Sequence, residues 1–276
     1  NVSNVRNMSS MFRNLYYNFN QPLNSWNVSD VTNMNSMFRG ARVFNQYIGN
    51  WNVSKVNNMS FMFEYGHNFN QNISSWNVSE VEGMERMFSG ATNFNQPLDS
   101  WNVSGVRRID AMFYGATNFN QPLNSWNVSA VILMPYIFYN ASSFNQPLDN
   151  WDFPQVNNMY SMFYGATVFN QDLSNWNVSK ITTMSSMFKS ALNFNQDINS
   201  WNVSKVYNMA NMFDGASNFN KPLNHWNVSN VKAMNSMFNV ASIFNQPLNS
   251  WVVSEVTNMS RMFYNASSFN QNISCL

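Results

Sequence analysis

The residues of this chain that could carry chemistry are asparagines in the pattern Asn-X-Ser, the acceptor sequence for N-linked glycosylation in secreted proteins. Eleven of them recur at two fixed places of a sequence repeat, and all of these except Asn1 are candidate sites. These are Asn27, Asn52, Asn77, Asn102, Asn127, Asn140, Asn177, Asn202, Asn227 and Asn265. If the sites lie on strands about 4.8 Å apart, a branched glycan cannot fit on every one. The pattern therefore predicts modification of some sites or, with no glycan, polar ladders that hydrogen-bond from strand to strand.

Residues for catalysis or for metal binding do not come together in the sequence. The two histidines, His67 and His225, are more than six repeats apart and cannot share a site. The carboxylates are scattered, and none has the spacing of metal ligands. A catalytic site needs several such groups in one place. The sequence therefore predicts a protein that is not an enzyme, with no catalytic residues, no cofactor and no metal.

Charged residues are densest between residues 80 and 110. Lys55 and Glu80 are 25 residues apart, and so are Glu82 and Arg107. Residues with this separation would lie over one another in stacked repeats. We therefore expect two solvent-facing ion pairs here.

The chain is a tandem repeat with a period of 25 residues. All ten tryptophans lie 25 residues apart, from Trp26 to Trp251. Counting from the residue after each tryptophan gives eleven units, namely 1–26 and then ten of 25 residues that end at 276. A fixed period of this length is typical of a solenoid. We therefore expect residues 1–276 to form a single solenoid domain of eleven coils.

Each repeat contains a predicted short strand. In the stretch PLNSWNVS, apolar residues alternate around Trp26 and Val28, which is typical of a strand with one buried face. Asn27 and Ser29 would then face solvent. Stacked coils would place these strands side by side in a parallel sheet.

Each repeat also contains a predicted short helix. Met34, Met37 and Phe38 have the i, i+3, i+4 spacing of one helical stripe. Asn33 suits the N-cap of such a helix, and Gly40 suits the left-handed residue that ends it. The abundant methionines and phenylalanines are therefore assigned to the core. The Asn of the FNQ triplet recurs in all eleven repeats, which predicts a side-chain amide that ties neighbouring coils together.

At this level of detail the repeat resembles a known family. The stretch NMNSMFRGARVFNQYIGNWNVSKV looks like the repeat of the BspA-type leucine-rich-repeat surface proteins. The resemblance implies an α/β repeat fold, a right-handed solenoid with a parallel sheet and one short helix in each 25-residue coil. It also implies an extracellular or cell-surface location and an adhesive, non-enzymatic role.

Composition and charge exclude several partners. Charged residues make up 10% of the chain, and its net charge is +1. Nucleic acids and anionic membranes both need clustered Lys and Arg, so neither is expected. No apolar run approaches the roughly 18 residues of a membrane span. The single cysteine, Cys275, cannot form an internal disulfide.

Two functions remain open from the sequence. The chain starts one residue after the tryptophan position and ends on that position, so a second copy would continue the repeat in register. The first hypothesis is therefore a structural protein that stacks end to end into a surface filament, with Tyr16, Tyr17, Cys275 and Leu276 near the joint. The alternative is an adhesin or binding module, cut from a longer solenoid, that recognises a host protein or a glycan.

Overall fold

The computed structural model describes residues 2–274 and folds them into a stack of coils, each of which contains one repeat. Phe63 and Phe88, one repeat apart, stack with ring centroids 5.8 Å apart and ring planes 9° apart. Phe69 and Phe94 do the same at 6.0 Å. Equivalent side chains therefore lie over one another, as the sequence period predicts. We number the coils from 1 (residues 1–26) and 2 (residues 27–51) onward.

Regular secondary structure is nearly absent from the coils, which corrects the predicted fold class. Residues 2–274 contain no helix and no extended strand, and their sheet-like pairing is confined to isolated parallel bridges. The bridges join Asn7 to Asn33, Asn33 to Asn58, Asn58 to Gly83, Gly83 to Arg108, Arg108 to Leu133, Asn158 to Thr183, Thr183 to Asn208, Asn208 to Ala233 and Ala233 to Asn258. The prediction of an α/β solenoid with a parallel sheet and one short helix per coil is wrong, although the repeat itself is present.

The segment that begins at Met34 forms two consecutive turns in place of the predicted helix. The N–H groups of Met37 and Arg39 each bond to a carbonyl three residues back in their own coil, at 3.1 Å. The N–H of Ser36, between them, donates instead to Ser60 of the next coil, at 2.8 Å. A helix would need each of these groups to bond four residues back. Ser36 also has a φ of 57°, which lies outside the right-handed helical region.

The residues predicted to start and end the helix serve as turn residues. The side-chain oxygen of Asn33 accepts a hydrogen bond from the N–H of Asn35, at 2.9 Å, and so caps a turn. Gly40 has a φ of 70°. Asn140 and Asn265 replace glycine at the equivalent position, with φ of 52° and 57°. The prediction of a left-handed residue at this position is confirmed.

The segment around each tryptophan is tied to the previous coil by side chains and not by a strand ladder. The indole N–H of Trp126 donates to the carbonyl oxygen of Leu98, 28 residues earlier, at 2.9 Å. The same bond forms at every tryptophan over the range Trp51–Trp251. Val28 is buried and Asn27 is exposed, so the predicted facing is correct although the predicted strand is not.

The core is a column of methionine and aromatic side chains along the axis of the stack. In coils 2 to 10, the residues equivalent to Met34, Met37, Phe38 and Phe44 are no more than 1% exposed. Phe38 also stacks on Phe44 within its own coil, with centroids 4.2 Å apart. A single coil cannot bury such a column, so the stability of each coil depends on its neighbours.

The asparagine of each FNQ triplet forms the predicted ladder between coils. The side-chain oxygen of Asn20 accepts a hydrogen bond from the N–H of Asn45, at 2.9 Å. The same bond recurs at each step up to Asn270. Gln71 adds a bond from its Nε2 to the side-chain oxygen of Asn45, at 3.0 Å. The prediction of an amide tie between coils is confirmed.

One step of the stack is irregular. Between coils 6 and 7 (residues 127–151 and 152–176), the described residues lack the bridge that would join Leu133 to Asn158. The backbone bonds that other coils form here are also missing at the N–H groups of Met134 and Asn157. Pro154 lies near this step, where most coils have serine.

Candidate binding surface

The ten predicted glycosylation sites all lie on exposed asparagines. In the eight sites with the sequence Asn-Val-Ser, the asparagine side-chain oxygen accepts a hydrogen bond from the serine N–H, as at Asn27 and Ser29 with 3.1 Å. Asn140 and Asn265 are at left-handed turns. The asparagine therefore has a structural role as a turn cap, and the glycan stays a prediction.

The predicted subunit joint is described only at its first half. Tyr16 and Tyr17 are 38% and 73% exposed. The guanidinium of Arg42, in the next coil, lies over both rings at 5.0 and 5.9 Å from their centroids. Cys275 and Leu276 lie outside the described residues. The subunit joint therefore stays a prediction.

One face of the stack changes from coil to coil, and we call it the variable face. It consists of the non-core positions that in coil 2 are Thr32, Asn33, Asn35, Ser36 and Arg39, with their equivalents in the other coils. At the last position, coils 2 to 11 carry Arg, Glu, Ser, Tyr, Tyr, Tyr, Lys, Asp, Asn and Tyr. The FNQ ladder, by contrast, has asparagine in every coil. Side chains on the variable face are therefore not dictated by stacking.

A buried carboxylate connects three coils on this face. Glu64 is fully buried, and its Oε2 lies 2.6 Å from Nε of Arg39 in the preceding coil. Its Oε1 lies 3.2 Å from Nη1 of Arg86 in the following coil. A buried carboxylate left without these partners would be strongly destabilising. This cluster is therefore assigned to the structure of the stack.

A second charged cluster places one cation between two carboxylates. Glu85 and Asp110 are equivalent residues of successive coils, so their charges are alike. The guanidinium of Arg108 lies 3.3 Å from each of them. Ser60 also donates a hydrogen bond to Glu85. The like charges are therefore compensated within the face.

The two ion pairs predicted from the 25-residue spacing do not form. Lys55 pairs with Asp30 of the preceding coil, with Nζ 2.6 Å from Oδ1, and not with Glu80. The hydrogen bond and the charge of Lys55 lower the pKa of Asp30. Glu82 and Arg107 make no ion pair among the described residues, although they lie on neighbouring coils. Side chains 25 residues apart lie in the same row. A long side chain can reach several neighbours in that row and can pair with any of them.

Five tyrosines cluster on the variable face of coils 5 to 7, and we call them the tyrosine patch. They are Tyr114, Tyr136, Tyr139, Tyr160 and Tyr164. Tyr139 stacks between Tyr114 and Tyr164, with ring centroids 4.4 and 4.3 Å away and ring planes 1° and 11° apart. Tyr136 meets Tyr160 edge to face at 5.0 Å. Because the stacked rings cover one another's faces, their edges and hydroxyl groups are the parts left for a ligand.

Apolar residues extend the tyrosine patch. Ile132 and Leu133 are 38% and 37% exposed, and Pro135 follows them in the chain. In coil 6 the repeat reads VILMPYIFYN, where coil 2 reads VTNMNSMFRG. The sequence interpretation missed this site. Its signal was the loss of every polar residue from the variable positions of one coil, apart from the tyrosine hydroxyls.

Two hydroxyl groups of the patch, those of Tyr136 and Tyr139, have raised pKa values. Burial raises the pKa of Tyr139, and the nearby hydroxyls of Tyr164 and Tyr114 raise it further. Burial and the hydroxyl of Tyr160 raise the pKa of Tyr136 in the same way. A neutral phenol donates a hydrogen bond, so the patch offers several uncharged donors beside apolar surface.

A known protein family matches this chain in sequence. The family described as "Mycoplasma protein of unknown function, DUF285" matches residues 1–101, 65–176, 93–201 and 167–276. These matches together span the whole chain. The chain belongs to this family. Within the DUF285 family it is a repeat protein, and the finer resemblance to BspA-type proteins stays a prediction.

No protein of curated function matches this DUF285 chain in sequence. Among solved structures, it is similar to an internalin (InlF) from Listeria monocytogenes, with 11% identity over 88% of this chain and 75% of the other, and a TM-score of 0.24. A second is the complex of TLR13 with the RNA ssRNA13, with 12% identity over 87% of this chain and 48% of the other, and a TM-score of 0.20. Scores this low carry no argument about fold or function.

The described part of this DUF285 chain has neither a metal site nor a membrane-spanning helix. Over residues 2–274, no three His, Cys, Asp or Glu side chains are arranged to hold a metal ion. The same part of the chain has no helix with the length and apolarity needed to cross a bilayer. The variable face, with the tyrosine patch at its centre, therefore remains the candidate site.

Proposed function

We propose that this chain is a non-enzymatic binding module, outside the cell or on its surface, that holds a partner macromolecule on the variable face. The tyrosine patch is the observation that carries the proposal. Tyrosine supplies large contact area with a polar tip and is enriched at the energetic centres of interfaces. The charged pairs of Glu64 and of Arg108 lie to one side of the patch, and the pair of Lys189 with Asp214 lies to the other. An aromatic centre with a polar rim is the usual anatomy of a binding surface.

The irregular step of the stack supports the same site. The missing bridge between Leu133 and Asn158 lies beside the tyrosine patch. Departures from local regularity concentrate at functional sites, because there a side chain is selected for a ligand and not for stability. The extracellular location rests on the resemblance to BspA-type surface proteins.

The test uses substitutions that other coils already tolerate. In a patch variant, Leu133→Asn, Tyr136→Ser and Tyr139→Ser restore residues found at the same positions of other coils. A control variant combines Tyr207→Thr with Tyr264→Ser, which removes two exposed tyrosines of the same face outside the patch. Binding of each labelled chain to immobilised extracellular proteins and glycans would be measured. We expect the patch variant to lose binding and the control to keep it; equal binding by both would contradict the proposal.

Glycans on some of the exposed Asn-X-Ser sites are proposed as part of the same surface role. The turn cap needs only the N–H of the third residue, as at Asn208, where a turn of the same kind in another part of the repeat ends at Ala210. At Ser104 and Ser179 the serine hydroxyl also donates to the asparagine oxygen, at 2.7 Å. The other six Asn-Val-Ser sites, all within the described residues, keep serine without that bond, which favours another use for the hydroxyl. The measurement is the intact mass of native protein before and after glycosidase treatment. A native mass equal to that of the bare sequence would reject modification.

End-to-end stacking into a filament is the second candidate, and one observation favours it. In coil 10, the N–H groups of Met234 and Ser236 donate to coil 11, at 2.9 and 2.8 Å. Equivalent bonds recur at most steps between successive coils. A coil of a second copy placed in register would therefore meet the same kinds of donors and acceptors.

Sedimentation and electron microscopy of native material test the filament. We expect fibres, and we expect Tyr17→Lys to weaken their assembly because Tyr17 lies on coil 1 near the joint. Tyr47→Lys is the control, since Tyr47 is also exposed but belongs to coil 2. Discrete monomers at micromolar concentration would rule this candidate out.

A further inference from the structure

The chemistry of the tyrosine patch limits the class of ligand that it can bind. This inference rests on the proposed binding function. Burial raises the pKa values of Tyr136 and Tyr139, so these two hydroxyl groups carry no charge near neutral pH. The apolar residues Ile132, Leu133 and Pro135 precede them in the chain. A ligand that presents hydrogen-bond acceptors and apolar groups and carries no charge would match this surface.

The stacking of the rings argues against a sugar. A carbohydrate ring packs on the face of an aromatic ring, and here Tyr139 has a tyrosine ring on each face, at 4.4 and 4.3 Å. The outer face of Tyr164 is approached by Lys189, whose Nζ lies 5.9 Å from the ring centroid. The nearby cations are in turn paired with carboxylates, which disfavours an anionic ligand.

We propose that the tyrosine patch binds a proline-rich segment of a partner protein in the polyproline II conformation. Such a segment has no backbone N–H at its prolines, exposes its carbonyl oxygens and presents apolar rings. Aromatic surfaces recognise it because the helix is preformed and little entropy is lost on binding. The tyrosine hydroxyls would donate to its carbonyls.

The spacing of the tyrosines fits this ligand. The two steps of 4.4 and 4.3 Å along the stack place the rings of Tyr114 and Tyr164 about 9 Å apart, which is about one three-residue turn of a polyproline II helix. Carbonyls one turn apart lie on the same side of that helix. Tyr114 and Tyr164 would therefore bond to carbonyls three residues apart, with a proline ring packed near Leu133.

The experiment titrates the full chain with an uncharged, end-capped oligoproline peptide and follows binding by calorimetry. A glycine-serine peptide of the same length is the control ligand, and a neutral oligosaccharide is a third. Tyr114→Phe and Tyr164→Phe each remove one hydroxyl and keep the ring. We expect each to weaken oligoproline binding about fivefold, which corresponds to one ordinary hydrogen bond. Tyr264→Phe, at the same position of coil 11 but outside the patch, should leave it unchanged.

The outcomes separate this inference from the proposed function. No binding of oligoproline at millimolar concentration, equal binding of the glycine-serine peptide, or equal affinity of the Phe variants would each overturn the inference. Binding of the oligosaccharide alone, lost in the Tyr variants, would also overturn it but would keep the binding function. If the patch variant of the proposed function also binds every immobilised partner normally, both proposals fail.

Discussion

At the scale of single residues, side chains and not strands hold one coil to the next on two sides of the stack. The indole N–H of each tryptophan reaches a main-chain oxygen 28 residues earlier, as Trp126 does at Leu98. On another side, the side-chain oxygen of Asn45 accepts a hydrogen bond from the N–H of Asn70. Both bonds are made in a buried or half-buried setting, where an unpaired polar group is costly. The constancy of tryptophan and asparagine therefore has a direct energetic cause.

Replacing a tryptophan inside the stack tests this explanation. Trp126→Phe would leave the carbonyl of Leu98 without its donor and would open space in the core. We expect a loss of about 2–3 kcal/mol in the free energy of unfolding, measured by urea denaturation. Trp26→Phe is the matched control, because the indole N–H of Trp26 makes no such bond among residues 2–274 and the side chain is only partly buried. Equal losses in the two variants would contradict the role given to the indole bond.

The tyrosine patch should make the free energy of unfolding fall at alkaline pH. Its tyrosines Tyr136 and Tyr139 have pKa values above the usual 10.0 in the folded chain, chiefly because of burial. The folded state then holds these protons more tightly than the unfolded state. Their contribution to stability is complete below about pH 10 and is lost as the pH rises through the folded pKa values. Urea denaturation from pH 8 upward should show this fall, and Tyr139→Phe should make it smaller; an unchanged slope would refute the assignment.

At the scale of the element, the repeating unit is a pair of linked turns whose N–H groups alternate between two kinds of partner. One group bonds within the coil, as in Met37, and the next bonds to the following coil, as in Ser36. This alternation requires left-handed residues at fixed places, which explains the recurrence of glycine and asparagine after the MF pair. The turns, and not a helix, place the side chains of Met34, Met37 and Phe38 in the core.

A glycine of this element offers a test of the conformational requirement. Gly115 has a φ of 64°, and a Cβ placed there would meet nothing closer than 3.9 Å. Gly115→Ala should therefore lower the free energy of unfolding by about 1 kcal/mol through backbone strain alone. Gly115→Asn should cost less, since Asn140 adopts the same conformation. Gly105→Ala, at a glycine without positive φ and with ordinary contacts, should be nearly neutral; the opposite ranking would refute the argument.

At the scale of the whole molecule, stability is the sum of coil-to-coil steps, and the steps are not equal. The one between coils 6 and 7 has fewer backbone bonds than its neighbours, and it lies beside the tyrosine patch. A stack can tolerate one weak step because the steps on either side of it remain intact. The molecule is therefore a regular stack of coils with one irregular step, which lies at its candidate site.

Hydrogen exchange should locate this weak step. The N–H groups of Met134 and Asn157 lack the bonds to the neighbouring coil that Ile109 and Thr182 make, at 3.1 and 2.8 Å. We expect Met134 and Asn157 to exchange faster than Ile109 and Thr182, measured residue by residue in native conditions. Uniform protection across the four positions would show that the step is not weaker.

The site could be predicted only in part. The sequence pointed to exposed asparagines, and all ten predicted sites are exposed. It missed the tyrosine patch, because Tyr114, Tyr139 and Tyr164 look like ordinary substitutions when each repeat is read alone. The 25-residue spacing contained the information, but the ion pairs predicted from the same spacing did not form. Spacing places residues in a row, and side-chain length and burial decide which of them meet.

The sequence by itself determined the period, the residues that face the core, the left-handed turn positions and the asparagine ladder. These features depend on side-chain types that repeat every 25 residues, and such a repeat can be recognised from the sequence alone. Only the tertiary structure decided that the backbone forms turns and isolated bridges and no helix or sheet. A backbone N–H such as that of Ser36 can donate either to a carbonyl in its own turn or to one about 24 residues ahead. That choice depends on how closely the next coil approaches, which is set by the packing of the Phe and Met column and is not encoded in any single stretch of the chain.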